Sequence, residues 1–280
     1  MRLRTKITTV IGIIVVLSLG ALTVVLVRTS TAALRTTIRD TLETNAAAIE
    51  RELAEFVEQR KTDVRHWSGS PALQSDDVET VQSELDRIRR GYWGTISGIY
   101  LVDQEGNVIA GSGDNIPSGQ VDLSRNIFEM VMLGSTGVSP TVYRGEKGGR
   151  YFSMASDVGE GFTLVTNVDF ASFAERIVKP VSIGETGHLF LTDADGRIIE
   201  HPQSDRVLQS NIRDMDPDST MGQRKRGTFG FTDRNAAWSA SFVREDQLGW
   251  YVVATAQTRE FFAPIRTLSY RAAAVAGAVL

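Results

Sequence analysis

A strand–turn–strand pattern occurs twice in this sequence, and it constrains the fold more than any other feature. The first copy is IYLVDQEGNVIAG at residues 99–111, and the second is GHLFLTDADGRIIEHP at residues 187–202. In each copy an aspartate, Asp103 or Asp193, follows an apolar run, and a glycine comes three residues later. Glycine takes the positive φ of a tight loop, and aspartate accepts hydrogen bonds from nearby backbone amides. Each copy therefore predicts a β-hairpin whose aspartate is a turn residue.

A second pair of related segments follows the hairpins in the same order. GFTLVTNVDFASF, residues 161–173, matches GWYVVATAQTREF, residues 249–261, in its glycine, the aromatic after it, its β-branched run and its final phenylalanine. Two elements that repeat in one order indicate two copies of one domain, and 280 residues leave room for both. We predict an α/β (α+β) fold with two modules, 68–179 and 180–263, each built on an antiparallel five-stranded sheet.

An uncharged apolar run occupies residues 7–27. As a helix it would reach ~31 Å, which is close to the hydrocarbon thickness of a bilayer. The basic side chains within residues 1–6 place that end in the cytoplasm by the positive-inside tendency. The alternative is a cleaved signal peptide, but this run is longer than the apolar core of such peptides. We therefore predict a transmembrane helix, and the apolar segment 264–280 is predicted to begin a second one.

Residues 28–67 have the pattern of one long amphipathic helix. Apolar residues recur there at spacings of three and four, and neither proline nor glycine interrupts them. At ~1.5 Å per residue, such a helix is longer than one small domain is wide, so it can serve as a spine for both modules. Its length also suits a parallel homodimer.

Composition excludes several classes of function. The chain has no cysteine, which excludes disulfides and thiolate metal sites. The net charge is −4, and the two ends carry five basic and no acidic residues, which leaves −9 for residues 28–265 (−4 − 5 = −9), so nucleic acid is not expected as a partner. His66, His188 and His201 are scattered, without the spacing of a catalytic or metal site. We therefore predict a non-enzymatic protein without a metal or cofactor.

Several segments together resemble a known family. They are the long helix, ISGIYLVDQEGNVIA, VDLSRNIF, IGETGHLFLTDADGRIIEHP and LGWYVVATAQTREFFAPI. This arrangement resembles the double Cache family of bacterial extracytoplasmic sensor domains, over about residues 30–265. The resemblance implies a PAS-like α/β fold in each module and a small-molecule ligand in the membrane-distal one. It also implies a bacterial inner-membrane protein with a periplasmic or extracellular ectodomain and a chemotaxis, kinase or cyclic-nucleotide output.

The resemblance also implies where a ligand would bind. Members that bind amino acids hold the carboxylate with an arginine, flank the ligand with aromatic residues and meet its ammonium with a final aspartate. Here Arg125, Phe128, Tyr143 and Asp169 fall at those positions. Arginine offers a planar fork for two carboxylate oxygens, and aspartate offers the charge opposite to an amine.

The chain also departs from that pattern. Ile127 stands where the pattern has tryptophan, Gln120 where it has tyrosine, and Gly145 where a second acidic residue often sits. A small carboxylate or another metabolite therefore fits as well as an amino acid. Structural alternatives are open too, since Arg125 is spaced to pair with a glutamate one helical turn on, and Asp169 to cap the following helix.

Two functions are consistent with these features. The first is the ligand-sensing region of a transmembrane signalling receptor, in which binding to the distal module shifts helices that lead into the membrane. The second is a membrane-tethered binding or adhesion module without an output domain.

Overall fold

The computed structural model describes residues 3–123, 126–215 and 221–260. One continuous helix, α1, runs from Leu3 to Ser68, and two antiparallel sheets follow it along the chain. Helix α1 contacts strands of both sheets, so it is the common spine of the two modules. In the described ranges no helix is long and apolar enough to cross a membrane, so the predicted span at residues 7–27 stays a prediction.

The buried face of α1 explains why this segment is a helix. Its buried apolar side chains are three, four or seven residues apart, which places them on one stripe. They are Ile38, Leu42, Ala46, Ile49, Leu53, Val57, Val64 and Trp67. The helix ends at Ser68, directly before the Gly-Ser-Pro sequence at residues 69–71. The helix predicted over residues 28–67 is thus present, and it continues towards the N-terminus as far as Leu3.

The module within residues 68–179, called the distal module after the family resemblance, begins with α2 (Val78–Gly91), whose first turn is capped by Asp77. Its strands are β1 (Ile96–Val102), β2 (Val108–Gly113), β3 (Gly137–Val138), β4 (Tyr143–Arg144), β5 (Arg150–Gly159) and β6 (Phe162–Asp169), with helix α3 (Asn126–Met132) between β2 and β3. The sheet order is β2-β1-β6-β5-β3, and β4 also pairs with β5. Helix α4 (Phe170–Phe173) and a π-helical turn, Ala174–Val178, connect this module to the next.

The module within residues 180–263, called the proximal module, repeats this plan. Its strands are β7 (Ser182–Ile183), β8 (Gly187–Thr192), β9 (Ile198–Glu200), β10 (Arg226–Asp233), β11 (Ala236–Arg244) and β12 (Tyr251–Gln257), and short 3₁₀ turns lie at Ser204–Arg206 and Ile212–Asp214. The sheet order is β10-β11-β12-β8-β7, with β9 beside β8. The fold class predicted from the sequence is confirmed, with each described sheet carrying six strands instead of five.

The extra strands have simple causes. The apolar stretch 137–144, which the sequence predicts as one strand, forms β3 and β4 on either side of Pro140. Proline has no backbone N–H, so it cannot continue the ladder with β5. In the proximal module the added strand is β7, only two residues long, which pairs with the start of β8.

The two aspartates of the repeated hairpins are turn residues, as predicted. Oδ1 of Asp103 accepts hydrogen bonds from the backbone N–H of Glu105 at 3.0 Å and of Asn107 at 2.7 Å. Oδ1 of Asp193 accepts the equivalent pair from Asp195 and Arg197, at 3.0 and 2.9 Å. The glycines of the two turns have φ of 88° and 85°. The same local chemistry therefore builds both hairpins.

We expect Gly106→Ala to lower the free energy of unfolding by about 2 kcal/mol or more, because the change adds two penalties. Its φ is +88°, and a Cβ there would lie 2.4 Å from the carbonyl oxygen of Val121. Gly119→Ala is the matched control, since no described atom lies within 4 Å of a Cβ built there. Urea unfolding of both variants measures the difference, and equal stabilities would contradict the role given to Gly106.

Candidate ligand-binding site

The distal sheet has one face covered by α1 and another that bears cavities. Alternate residues of β1, β5 and β6, including Ile99, Phe152 and Leu164, pack into the core with α1. The residues between them point the other way, and some of these, such as Tyr100 and Val165, pack with α3. Because side chains alternate along a strand, one face of the distal sheet packs against α1 and the other lies beneath α3.

Two adjoining cavities lie over this second face, and a third, of about 490 Å³, is lined by Phe128 and Met132 among others. The first has a volume of about 360 Å³ and is lined by Tyr100, Val121, Ile127, Phe128, Ser139, Pro140, Thr141, Tyr143, Ser153 and Val165. The second, of about 350 Å³, is lined by Arg89, Trp93, Gly94, Ile96, Ser97, Asp114, Asn115, Gly145, Lys147, Gly149, Arg150, Tyr151 and Asp169. Each is large enough for part of a small metabolite.

The first cavity is mainly apolar and aromatic. Phe128 comes from α3, Tyr100 from β1 and Tyr143 from β4. Hydroxyl groups of serine and threonine also line it, and one of them, Oγ of Ser153, donates to Oδ1 of Asn167 at 2.8 Å. Such walls suit an apolar or amphipathic group with a few polar atoms.

The second cavity is strongly charged. Three cationic and two acidic side chains line it, and one pair is formed between Lys147 Nζ and Asp114 Oδ1 at 2.8 Å. The guanidinium of Arg89 lies 5.2 Å from the ring centroid of Trp93, and its buried Nε has no hydrogen-bond partner among the described residues. This cavity can therefore accept the charged groups of a small molecule, of either sign.

Two stacked tyrosines separate the cavities. Tyr143 lines the first, Tyr151 lines the second, and the two are direct partners across β4 and β5. Their ring centroids are 5.6 Å apart, and the ring planes are inclined by 29°. On the next strand Asp169 is the partner of Tyr151, so the three side chains form a row across the sheet. An apolar and a charged compartment thus adjoin each other.

Asp169 has a structural role as well as a place in the cavity wall. Its Oδ1 accepts a hydrogen bond from the backbone N–H of Ala171 at 2.9 Å and caps α4. Burial raises the pKa of Asp169, while hydrogen bonds from backbone N–H groups and the charge of Arg150 act to lower it. A half-buried carboxylate of this kind would be stabilised in its charged form by a cation in the second cavity.

The structure places the predicted ligand residues in different compartments. Phe128 and Tyr143 line the first cavity, and Asp169 lines the second. Arg125 lies outside the described residues. The site assignment therefore stays a prediction, with three of its members located around adjoining cavities.

At Gly145, where the family pattern often has an acidic residue, the structure leaves little room for a side chain. A Cβ at this position would lie 2.8 Å from the side-chain amide of Asn115. The same amide accepts the backbone N–H of Glu146 at 2.9 Å, so Asn115 occupies the space that an acidic side chain would need. Sequence reasoning missed Asn115, Tyr151 and Arg150 as cavity residues. Strand alternation from the predicted β5 would have found Tyr151, whereas no local signal marks the other two.

Two modules of one design on a single long helix, with adjoining cavities in one of them, define a sensory ligand-binding domain. The chain belongs to the Cache domain family of the dCache type, whose family model matches residues 30–265. This confirms the resemblance inferred from the hairpins and the long helix.

Individual relatives are similar over most or part of the chain. The methyl-accepting chemotaxis protein McpA of Pseudomonas putida is 27% identical over 127 residues, which are 44% of this chain and 20% of that protein. The chain thus matches about a fifth of the length of this curated relative.

Two solved structures show the same fold. The ligand-binding domain of the Pseudomonas aeruginosa amino acid chemoreceptor PctB, in complex with L-Gln, has a TM-score of 0.62 at 18% identity, over 83% of this chain and 98% of that one. The ligand-binding domain of the Pseudomonas fluorescens chemoreceptor CtaA, in complex with L-isoleucine, has a TM-score of 0.64 at 17% identity, over 84% and 98%.

Proposed function

We propose that this chain is the extracytoplasmic ligand-sensing region of a bacterial transmembrane receptor, and that its distal module binds a small carboxylate metabolite, with an amino acid the leading candidate. The observation that carries this proposal is the apolar cavity adjoining the charged one across Tyr143 and Tyr151. A molecule with an apolar side chain and a charged head needs both environments. The complexes of PctB with L-Gln and of CtaA with L-isoleucine support this ligand class.

The ligand would lie across the tyrosine boundary. Its side chain would contact Phe128 and Tyr143 in the first cavity, and its ammonium would face Asp169 in the second. Arg125, two residues before the buried Ile127 of α3, is proposed as the carboxylate partner. Arg89, with its unpartnered Nε, offers a second cation at the charged end.

Signalling is proposed to use α1. This helix packs on the opposite face of the same distal sheet and continues past the proximal module to Leu3. A ligand that binds two conformations of the distal module with different affinities would shift their populations and so move the sheet against the helix. A homodimer through α1, and the membrane spans on either side, belong to this proposal.

We expect Tyr143→Ala to weaken binding of L-glutamine to the 280-residue chain about tenfold or more, because the change removes one aromatic wall of the first cavity. Isothermal titration calorimetry with L-glutamine, L-isoleucine and an amine-free carboxylate such as succinate measures this and ranks the ligand classes. Met132→Ala is the control, because Met132 lies on α3 but is 88% exposed.

The companion variant is Arg125→Ala. A loss of about tenfold or more is expected if its guanidinium holds the ligand carboxylate. Unchanged affinity in Arg125→Ala would show that this residue does not bind the ligand. Unchanged affinity in Tyr143→Ala would show that the ligand does not bind in the first cavity. Absence of binding by all three compounds would contradict the proposed ligand class.

A further inference from the structure

The segment that lines part of both cavities also contacts the proximal module. The carbonyl of Pro140, in the wall of the first cavity, accepts a hydrogen bond from Nε1 of Trp250 at 2.6 Å. Arg144, next to the cavity residue Tyr143, donates from Nη2 to the carbonyl of Val207 at 3.5 Å. The cavity wall between residues 139 and 151 is therefore one side of the contact between the modules.

Arg150 makes the charged contact across this interface. As the first residue of β5, it places Nη2 2.5 Å from Oε2 of Glu200, the last residue of β9. Its Nη1 donates to the carbonyl of Ile199 at 3.4 Å. Glu200 is only 1% exposed, and neither of its carboxylate oxygens has a hydrogen-bond partner among the described residues, although Oε2 forms the ion pair with Arg150. A buried carboxylate in this position depends on nearby cations, and Arg150 is the one that forms an ion pair with it.

Arg150 also belongs to the wall of the second cavity. Arg150 and Asp169 both line the second cavity, and Arg150 precedes Tyr151, the strand partner of Asp169. Its charge lowers the pKa of both carboxyls, against the burial that raises the pKa of each. One cation is thus shared between a carboxylate in the cavity wall and a carboxylate of the proximal module.

We propose that Arg150 is a positioning residue that couples the distal site to the proximal module, because a cation held at Asp169 leaves the guanidinium to Glu200 alone and tightens the contact between β5 and β9. This rests on the proposed function in one respect, since the occupant of the second cavity is taken to carry a cationic group. The direction follows from charge: the bound cation satisfies Asp169 and repels Arg150 towards Glu200. The strand Ile198–Glu200 is then held more firmly when the site is occupied.

The first test needs no ligand. Asp169→Asn removes the charge as a bound cation would, and asparagine caps a helix as well as aspartate does. In the 280-residue chain we expect amide hydrogen exchange at residues 198–200 to slow about threefold, as for residues coupled within one network. This slowing should be absent when Asp169→Asn is made in the Glu200→Gln background. Asp114→Asn is the matched control, because Asp114 lines the same cavity but pairs with Lys147.

The outcomes separate coupling from a merely structural role. Equal exchange at residues 198–200 in Asp169→Asn and in the unaltered chain would overturn the proposal, and so would an equal change in the Glu200→Gln background. Arg150→Lys keeps the charge and should retain a measurable part of the Asp169→Asn effect, whereas Arg150→Met should abolish it. The double-mutant cycle of Asp169→Asn and Glu200→Gln does not use Arg150→Met, so it still tests the proposal if that variant does not fold.

A second arm uses L-glutamine as the probe. Saturating L-glutamine should slow exchange at residues 198–200 in the unaltered chain, while Glu200→Gln should bind it within about threefold of the original affinity and transmit no change. If L-glutamine does not bind, the amino-acid proposal fails for this ligand, and the ligand-free cycle still decides the coupling. If it binds and the cycle shows no effect, the coupling fails and the ligand proposal stands.

Discussion

Trp250→Ala is expected to lower the free energy of unfolding by about 3–5 kcal/mol, the range for removing a large buried aromatic side chain. Trp250 precedes β12 of the proximal module and is fully buried, yet the aromatic and hydrogen-bond partners of its indole lie at residues 140–170. Its ring lies edge-on to Phe152 at 5.4 Å and to Phe170 at 5.2 Å, and its Nε1 donates to Pro140. The change leaves a cavity between the modules and a carbonyl without its donor.

Urea unfolding of the 280-residue chain, followed by circular dichroism, measures this effect. Trp93→Ala is the control, because Trp93 is 77% exposed and its loss should change stability by less than about 0.5 kcal/mol. Trp250→Phe keeps most of the packing and removes the N–H donor, so a smaller loss of about 1–2 kcal/mol is expected. A loss below about 1 kcal/mol in Trp250→Ala would mean that the modules do not depend on this contact.

Acidification from pH 7.5 to pH 5 is expected to cost about 2 kcal/mol of stability through His201 alone. Burial, reinforced by the nearby His188, lowers the pKa of His201 to about 3. Its Nδ1 accepts the backbone N–H of Gln203 at 2.9 Å, a hydrogen bond that a protonated ring cannot keep. Since the folded pKa is below the unfolded value, stability is complete above about pH 6.5 and is lost as the pH falls towards 3.

The variant His201→Asn isolates this contribution, because the asparagine oxygen can accept the same N–H without becoming charged. Urea unfolding at pH 7.5 and pH 5 should show a smaller loss for the variant than for the unaltered chain. Burial also raises the pKa of Asp193 and Glu200, and these groups act in the opposite sense, since they favour folding as the pH falls. They are present in both proteins, so the difference reports His201, and equal pH dependence would contradict its assignment.

Much of the fold was predictable because its determinants are local. The spacing of apolar residues along α1 and the aspartate and glycine of each hairpin act on residues close to them in the chain. The repetition of these signals indicated two modules, and the structure has them. The same kind of reasoning offered helix capping as the structural alternative for Asp169, and the hydrogen bond that it accepts from the backbone N–H of Ala171 bears this alternative out.

The candidate site was only partly predictable. Phe128 and Tyr143, which the family resemblance implied as ligand residues, line one cavity, and their role in binding stays a prediction. The boundary made by the two tyrosines depends on the pairing of β4 with β5. The space taken by Asn115 at Gly145 depends on how two loops meet. Neither feature has a periodicity or a turn signal that could reveal it in advance.

The sequence by itself determined the spine helix, the two hairpins and the order of the modules, because each of these follows from residues that are neighbours along the chain. Only the tertiary structure decided which residues join the modules and divide the cavities. Arg150 and Glu200, or Trp250 and Pro140, are far apart in sequence and meet only after both sheets have packed on α1. Buried contacts between distant segments are selected by the packing of whole elements, so their residues carry no pattern of their own.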